Sequence, residues 1–583
     1  KTMPKERMHE IACRGFTAVI DEERGTVALR FIDDTGAAVD VATLSAHTAV
    51  DRLLPHEDDP LCYDTLEDID EAVLSAEFDE AQNTFRMRVR STAWQEKEYR
   101  FRFAPDGVFA ETEVHGQGRV GEIRYFGGKW QGDMLGASDF EFCEYFVPIS
   151  DFFSAEHRIY NSIEDFHSYF DLLVPPLYVY AFRTLGVCER LSMGLIGREN
   201  DWNFMKFDYH KRPNRGRKGF YLSTDFEGHK EVTGSFITPA VRIETAPDNM
   251  AAARQYAAWF YESGTVQKRD YSDVPAWWWG PMACGWREQY ALGGGSEPDV
   301  QATEENYRAF ADKLCAAGLC PRILIVDDKW QAEYGSAEPD PAKWHDMRKF
   351  TDDMRARGIH TLLWFKLWAA QGLDDALKIP ESDATPYGKT MSFNEGPYAD
   401  PSNPAYRAAL EKIIYRLLSD DPGCIGADGF KLDFAFMMPR GRRARSHSGA
   451  YGTQLLLELL RMIREIAKSV KPNALINCSP CHPIFAGIPD QCRLHDYDDA
   501  MRGYEEEMTF RRDLFEAAFP GVLIDTDSPC YGSKRSSMRA ALFQSRIGIP
   551  DLYRISPDAD FSYTAQDLAV LRTAWDEYRR LHP

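Results

Sequence analysis

The sequence predicts an antiparallel β-sandwich followed by a (β/α)8 barrel. Hydrophobicity alternates with period two over the first 246 residues; beyond Pro275, short apolar runs take turns with long amphipathic segments. The length of 583 residues is too great for one ordinary domain and accommodates both.

The alternation in residues 1–246 is clear where Phe85, Met87 and Val89 are interleaved with Arg86, Arg88 and Arg90, and where Tyr99, Phe101 and Phe103 flank Arg100 and Arg102. That is the pattern of strands buried on one face. Turn signals such as Asp21-Glu-Glu-Arg-Gly25 and Ala104-Pro-Asp-Gly107 recur at the short intervals a sandwich requires. Aromatic residues including Trp94, Trp130, Tyr178 and Tyr180 are expected in its core. Residues 247–275 turn alanine-rich, stop at Gly264 and run into a polar stretch ending at Pro275, which predicts a helical linker.

From residue 276 to 583, eight strand candidates precede or follow helical segments: Trp277–Gly285, Arg322–Asp328, His360–Lys366, Asp428–Phe434, Ala474–Cys478, Gln491–Asp496, Val522–Asp525 and Asp551–Ile555. Strands apolar on both faces, each followed by a helix, imply a closed parallel barrel. Among the helices, Asn306–Ala317 ends at Gly318, and Gly452–Val470 sets Leu456, Leu459, Leu460, Ile463 and Ala467 on one face. The fifth unit is weak, because Ser479–Asp490 reads as loop. Gly293-Gly-Gly295 lacks the lysine of a phosphate loop and reads as a turn.

Composition narrows the partners. With 91 acidic and 68 basic residues and a formal charge of −23, the surface repels nucleic acid and anionic membranes; a neutral small molecule remains. Twelve cysteines without a regular framework predict reduced thiols and a cytoplasmic protein. Cys478 and Cys481 have CxxC spacing but no second pair. No signal-peptide core follows Lys1, and no run of 18 apolar residues occurs.

A barrel assembles its chemistry at the C-terminal strand ends. Those ends deliver Trp286; Asp327, Asp328 and Trp330; Trp364 and Lys366; Lys431 and Asp433; Cys478; Asp496; and Asp525 with Asp527. Carboxylates hold hydroxyls and indoles cover an apolar ring face, so the set suits a sugar. No histidine pair is placed for a metal, and neither metal nor cofactor is expected. Two carboxyl groups on strand ends are also what glycoside hydrolysis needs.

Val326-Asp-Asp-Lys-Trp-Gln331, Leu363-Trp-Phe-Lys-Leu-Trp368, Phe430-Lys-Leu-Asp-Phe434 and His495-Asp-Tyr-Asp-Asp-Ala500 occur in the order and spacing of the clan D α-galactosidases, and the chain resembles glycoside hydrolase family 36. The resemblance implies Asp433 as nucleophile, Asp496 as acid/base, Lys431 as a sugar-hydroxyl ligand and Asp327 with Asp328 as the pair that holds galactose hydroxyls. Trp286, Trp330, Trp364, Lys366, Cys478, Arg493 and Asp499 complete the expected substrate contacts. A shift of register would give the acid/base role to Asp498 or Asp499. The chain departs from the family where Lys329 replaces glycine, Lys366 replaces glutamate, and Ser-Pro-Cys follows Cys478. Arg440, Arg442, Arg443 and Arg445 after the fourth strand form either a solvated loop or a seat for an acidic aglycone.

The resemblance therefore implies retaining hydrolysis of a terminal α-galactoside in an oligosaccharide or glycoside. Transfer to a sugar acceptor, as in raffinose synthase-like relatives, action on α-N-acetylgalactosaminides, and a non-catalytic carbohydrate-binding protein stand as alternatives.

Overall fold

The computed structural model describes residues 8–130, 138–149, 159–161, 173–211, 218–295, 297–383, 398–496, 503–527 and 533–582. A large, mainly antiparallel sheet occupies the first part, up to the strand Ala240–Ala246. Its alternation follows the sequence: Phe85, Met87 and Val89 are buried, and the arginines between them face outward. The longest pairing joins Gly107–Tyr125 to Gly219–Ile237, with a register shift at Val120/Glu122. Trp94, Tyr178 and Tyr180 lie in the core.

The helix Asn249–Glu262 follows, capped by Asp248, which accepts from Ala251 N at 2.7 Å, and ending before Gly264 in the left-handed region. Its Tyr256 hydroxyl lies 2.6 Å from Leu195 O in the sheet and 2.7 Å from His482 Nε2 in the barrel. Burial pushes His482 down to about 3, so it is neutral.

The barrel strands are β1 (Met282–Cys284), β2 (Ile323–Val326), β3 (His360–Lys366), β4 (Gly429–Asp433), β5 (Leu475–Cys478), β6 (Gln491–Arg493), β7 (Leu523–Asp525) and β8 (Asp551–Leu552). All pair in parallel in sequence order. Pairing of β8 with β1 and a parallel bridge between Asp525 and Ile549 close the ring.

Three expectations are corrected. Trp277–Gly285 is not one strand: Ala276–Trp279 forms a 3-10 turn, and Pro281, which has no N–H to give, precedes the three-residue β1. The cysteines are not all reduced, because Cys315 and Cys320 are disulfide-bonded; the left-handed Gly318 folds the chain back between them. The arginines after β4 do not form a solvated loop. Arg442 donates to Tyr63 O at 3.2 Å, Arg443 pairs with Asp59 at 2.7 Å, and Arg445 donates to Gly228 O at 3.0 Å, so they clamp the barrel to the β domain. His229 donates to Gly441 O and stacks on Tyr451 with centroids 3.8 Å apart, extending the clamp, and Arg440 is buried beside it.

Gly429 opens β4 at φ +151°, and a Cβ there would lie 2.2 Å from the carbonyl oxygen of Leu475 in β5. The close approach of these strands thus depends on the missing side chain. Gly429→Ala is expected to destabilise the barrel by roughly 1–3 kcal/mol, seen as a lower thermal midpoint by circular dichroism. An unchanged midpoint would show that β4 and β5 separate at no cost.

Candidate active site

Lys431 and Asp433 sit two residues apart on β4 and therefore share a face, where the barrel interior opens at its C-terminal end. Asp433 Oδ1 accepts from Arg493 Nη2 at 2.9 Å and from Phe434 N at 2.8 Å, and Oδ2 accepts from Trp364 Nε1 at 3.0 Å. Burial alone would raise its pKa; Arg493 and Lys431 outweigh that and hold the carboxyl well below the usual range. Asp433 is an anion across physiological pH.

Lys431 is buried. Its Nζ lies 2.9 Å from Asp327 Oδ2, 3.4 Å from the Tyr553 hydroxyl and 3.6 Å from Asp527 Oδ1. Arg493 runs parallel to this contact: Nη1 reaches Asp527 Oδ2 at 3.0 Å while Nη2 holds Asp433. Tyr553 donates to Asp527, and Asn477 donates to Asp525 at 2.7 Å. The ends of β2, β4, β6, β7 and β8 are thus tied into one buried ionic network.

Asp496 follows β6, and its backbone is fixed by Arg511, whose Nη1 donates to the carbonyls of Leu494, His495 and Asp496 at 2.8–3.1 Å. Burial, with the nearby charges of Asp527 and Asp433, pushes its carboxyl up to about 7 against the pull of Lys431 and Arg493. Burial likewise raises Asp525 to about 6, and the charge of Asp527 adds to it. Asp433 and Asp496 therefore differ in protonation within one electrostatic environment, the asymmetry acid/base chemistry requires.

Asp327 and Asp328 occupy different settings. Asp327 is buried against Lys431 and accepts from Cys284 Sγ at 2.8 Å. Asp328 is half-buried beside Lys329 and Tyr334, and burial raises it to about 6. Lys366 packs 4.6 Å from the Tyr334 ring centroid and 5.8 Å from that of Phe434; burial lowers it to about 8. Trp286 is half-buried, edge-on to Tyr290.

Several expected contacts are corrected by burial. Trp330 is 0% exposed and donates to Trp364 O at 2.8 Å, so it braces Trp364. Cys478 is 1% exposed at the end of β5, and burial pushes its thiol up to about 12, which marks it as packing. Arg493, 2% exposed, holds Asp433, and Trp364, Asp327 and Lys431, at 2%, 3% and 4%, are as deeply buried and bonded within the same network. Asp498 and Asp499 lie outside the described residues. Among the described residues, no group of three or more His, Cys, Asp or Glu is arranged to hold a metal ion.

The sequence reading gave no role to Cys284, Arg511 or Tyr553, and placed Asp527 at the strand ends without a partner. It also missed a backbone signal. Lys329, Trp368, Phe434, His495 and Asp527, all non-glycine residues with positive φ, follow β2, β3, β4, β6 and β7. Left-handed backbone collected at one end of a barrel marks where side chains are aimed at some cost in strain.

No family model and no curated protein matches the chain. Solved structures do. A cycloalternan-degrading enzyme from Trueperella pyogenes, in complex with a covalent intermediate, is 12% identical over 95% of this chain and 83% of its own, with a TM-score of 0.52. The cycloalternan-forming enzyme from Listeria monocytogenes, in complex with a pentasaccharide substrate, is 12% identical over 97% of this chain, which spans only 57% of that enzyme; the TM-score is 0.53. An α-galactosidase from Thermus thermophilus, in complex with stachyose, is 17% identical over 84% of this chain and 99% of its own, with a TM-score of 0.49.

If Arg493 anchors the network, replacing it with methionine leaves Asp433 and Asp527 buried beside each other with one counter-charge fewer. Arg493→Met is expected to cost roughly 3–5 kcal/mol of stability, read from urea unfolding, and to raise the Asp433 pKa in carboxyl-carbon NMR titration. At identities of 12% the likeness to the two cycloalternan enzymes establishes the fold: a β-sandwich joined to a (β/α)8 barrel.

Proposed function

We propose that the protein is a retaining, exo-acting α-glycosidase that hydrolyses terminal α-galactosides. The observation that carries this reading is the opposed protonation of Asp433 and Asp496 at the mouth of one barrel. The motif resemblance supplies the sugar.

In the first step a carboxylate oxygen of Asp433 attacks the anomeric carbon. The bond to the leaving oxygen breaks as Asp496 gives that oxygen its proton, and a glycosyl ester forms on Asp433. In the second, Asp496, now ionised, takes a proton from water as the water oxygen attacks the anomeric carbon and releases Asp433 as carboxylate. Two inversions return the original configuration. The Trp364 N–H and the Arg493 guanidinium stabilise the departing carboxylate, and Asp328 accepts sugar hydroxyls, the role the motif resemblance gives it.

A panel of aryl α-galactosides, α-glucosides and α-N-acetylgalactosaminides, with and without a sugar acceptor, tests substrate and outcome together. Turnover of the α-galactoside is expected. Asp433→Ala should reduce it to background, with azide restoring product of inverted configuration; undiminished turnover in that variant overturns the assignment.

The pH profile provides a separate test. Asp496 must carry a proton to act as acid, and its raised pKa keeps it protonated below about 7. Activity should therefore fall as pH rises through about 7, while Asp433, held low, leaves the acidic limb well below that. Asp496→Ala should remove the alkaline limb and slow poor leaving groups by about 10²–10⁴, with little effect on the best ones.

A further inference from the structure

A cleft on the outward face of the β domain is not used by the chemistry above. Strand alternation creates it. In Thr84–Ser91, Glu96–Ala104 and Gly107–Tyr125, Phe85, Phe101 and Val108 point into the core, so Arg86, Arg100, Arg102, Phe109 and Glu111 point the other way. Register sets Arg102 opposite Phe109 and Arg100 opposite Glu111. The helix Asn249–Glu262 supplies Trp259, and the turn after Ile196 supplies Arg198 and Asp201. The enclosed volume is about 450 Å³, within the range of small-molecule sites. Every lining residue belongs to the β domain or to the connection behind it; none comes from a barrel strand.

One wall is aromatic. The Arg102 guanidinium lies 4.0 Å over the Phe109 ring, whose centroid is 6.5 Å from that of Trp259. The polar groups divide into two kinds. Arg86 is paired with Glu98, and Arg100 with Glu98, Glu113 and, at 3.7 Å, Glu111, whereas the exposed Arg102 and Arg198 have no carboxylate within ion-pair distance among the described residues. Glu111 and Asp201 bring acceptors, and burial raises the Asp201 carboxyl.

A ligand that matches this lining needs three things: a carboxylate for the guanidinium groups, hydroxyls for the two acidic side chains, and an apolar C–H face for the indole. Inorganic phosphate or sulfate would engage the guanidinium groups but offer no hydroxyl to Glu111 and Asp201 and no C–H face to Trp259. A neutral sugar would leave Arg102 and Arg198 without a counter-charge. General attraction of anions is excluded by a chain of net charge −23, so the positive character is local. We propose that this cleft is a second carbohydrate site, remote from the barrel mouth, that binds uronate-bearing oligosaccharides.

The test uses the full chain carrying Asp433→Asn, which separates binding from turnover. Calorimetry with a galacturonate trisaccharide, a neutral trisaccharide and inorganic sulfate compares the three chemistries. Binding of the uronate is expected, with sulfate a poor competitor. Adding Arg102→Gln with Arg198→Gln should weaken uronate binding by about tenfold or more, and adding Trp259→Leu should weaken it independently. In the otherwise wild-type chain, Arg102→Gln with Arg198→Gln should leave kcat/KM on the aryl glycoside unchanged. Absence of uronate binding, equal competition by sulfate, or undiminished affinity in the double arginine variant would each overturn the proposal. The three binding readings do not depend on whether the barrel hydrolyses galactosides.

Discussion

Charge balance inside the barrel mouth governs the rest of the site. Five carboxyl groups, Asp327, Asp433, Asp496, Asp525 and Asp527, converge there, and the buried cations that face them are Lys431 and Arg493. Were all five ionised, the cluster would carry an excess of three negative charges away from water, which folding does not tolerate. Protons must stay on some of them. Asp433 and Asp527, which share the Arg493 guanidinium, remain anionic, and Asp496 and Asp525 rise toward neutrality. The division between a permanent anion and a proton carrier is thus imposed by how many cations the strands supply.

That distribution needs short, rigid strand ends. β6 and β7 are three residues each, and Arg493 and Asp525 are their last members. The chain then turns through a left-handed residue, which redirects the following side chain within a single step. Trp330 under Trp364 and Arg511 under the Leu494–Asp496 backbone are the supports that make such turns reproducible. Both set where the carboxyl groups of Asp433 and Asp496 sit.

Much of this was legible in the residues. Alternation around Phe85 and Phe101, and apolar runs closed by Asp433 and Asp496, reported the fold because burial has a period and a barrel has a functional end. The roles of Arg493, Asp527 and Tyr553 were hidden, since they depend on side chains meeting across β4, β6, β7 and β8, which no local pattern records. Trp330 and Cys478 were read as contacts because a strand end says nothing about which side a residue faces. The Cys315–Cys320 pair had a readable cue, a glycine inside a five-residue spacing, that the scattered cysteines obscured.

The loop behind β4 leans on the other half of the chain through Arg442, Arg443 and Arg445. This segment lies directly downstream of Asp433, so its footing is borrowed. A gene rearrangement that transplanted the barrel behind a different N-terminal partner would strip Arg442 and Arg445 of their acceptors and leave Arg443 with Glu381 alone. The two halves are therefore poorly suited to exchange.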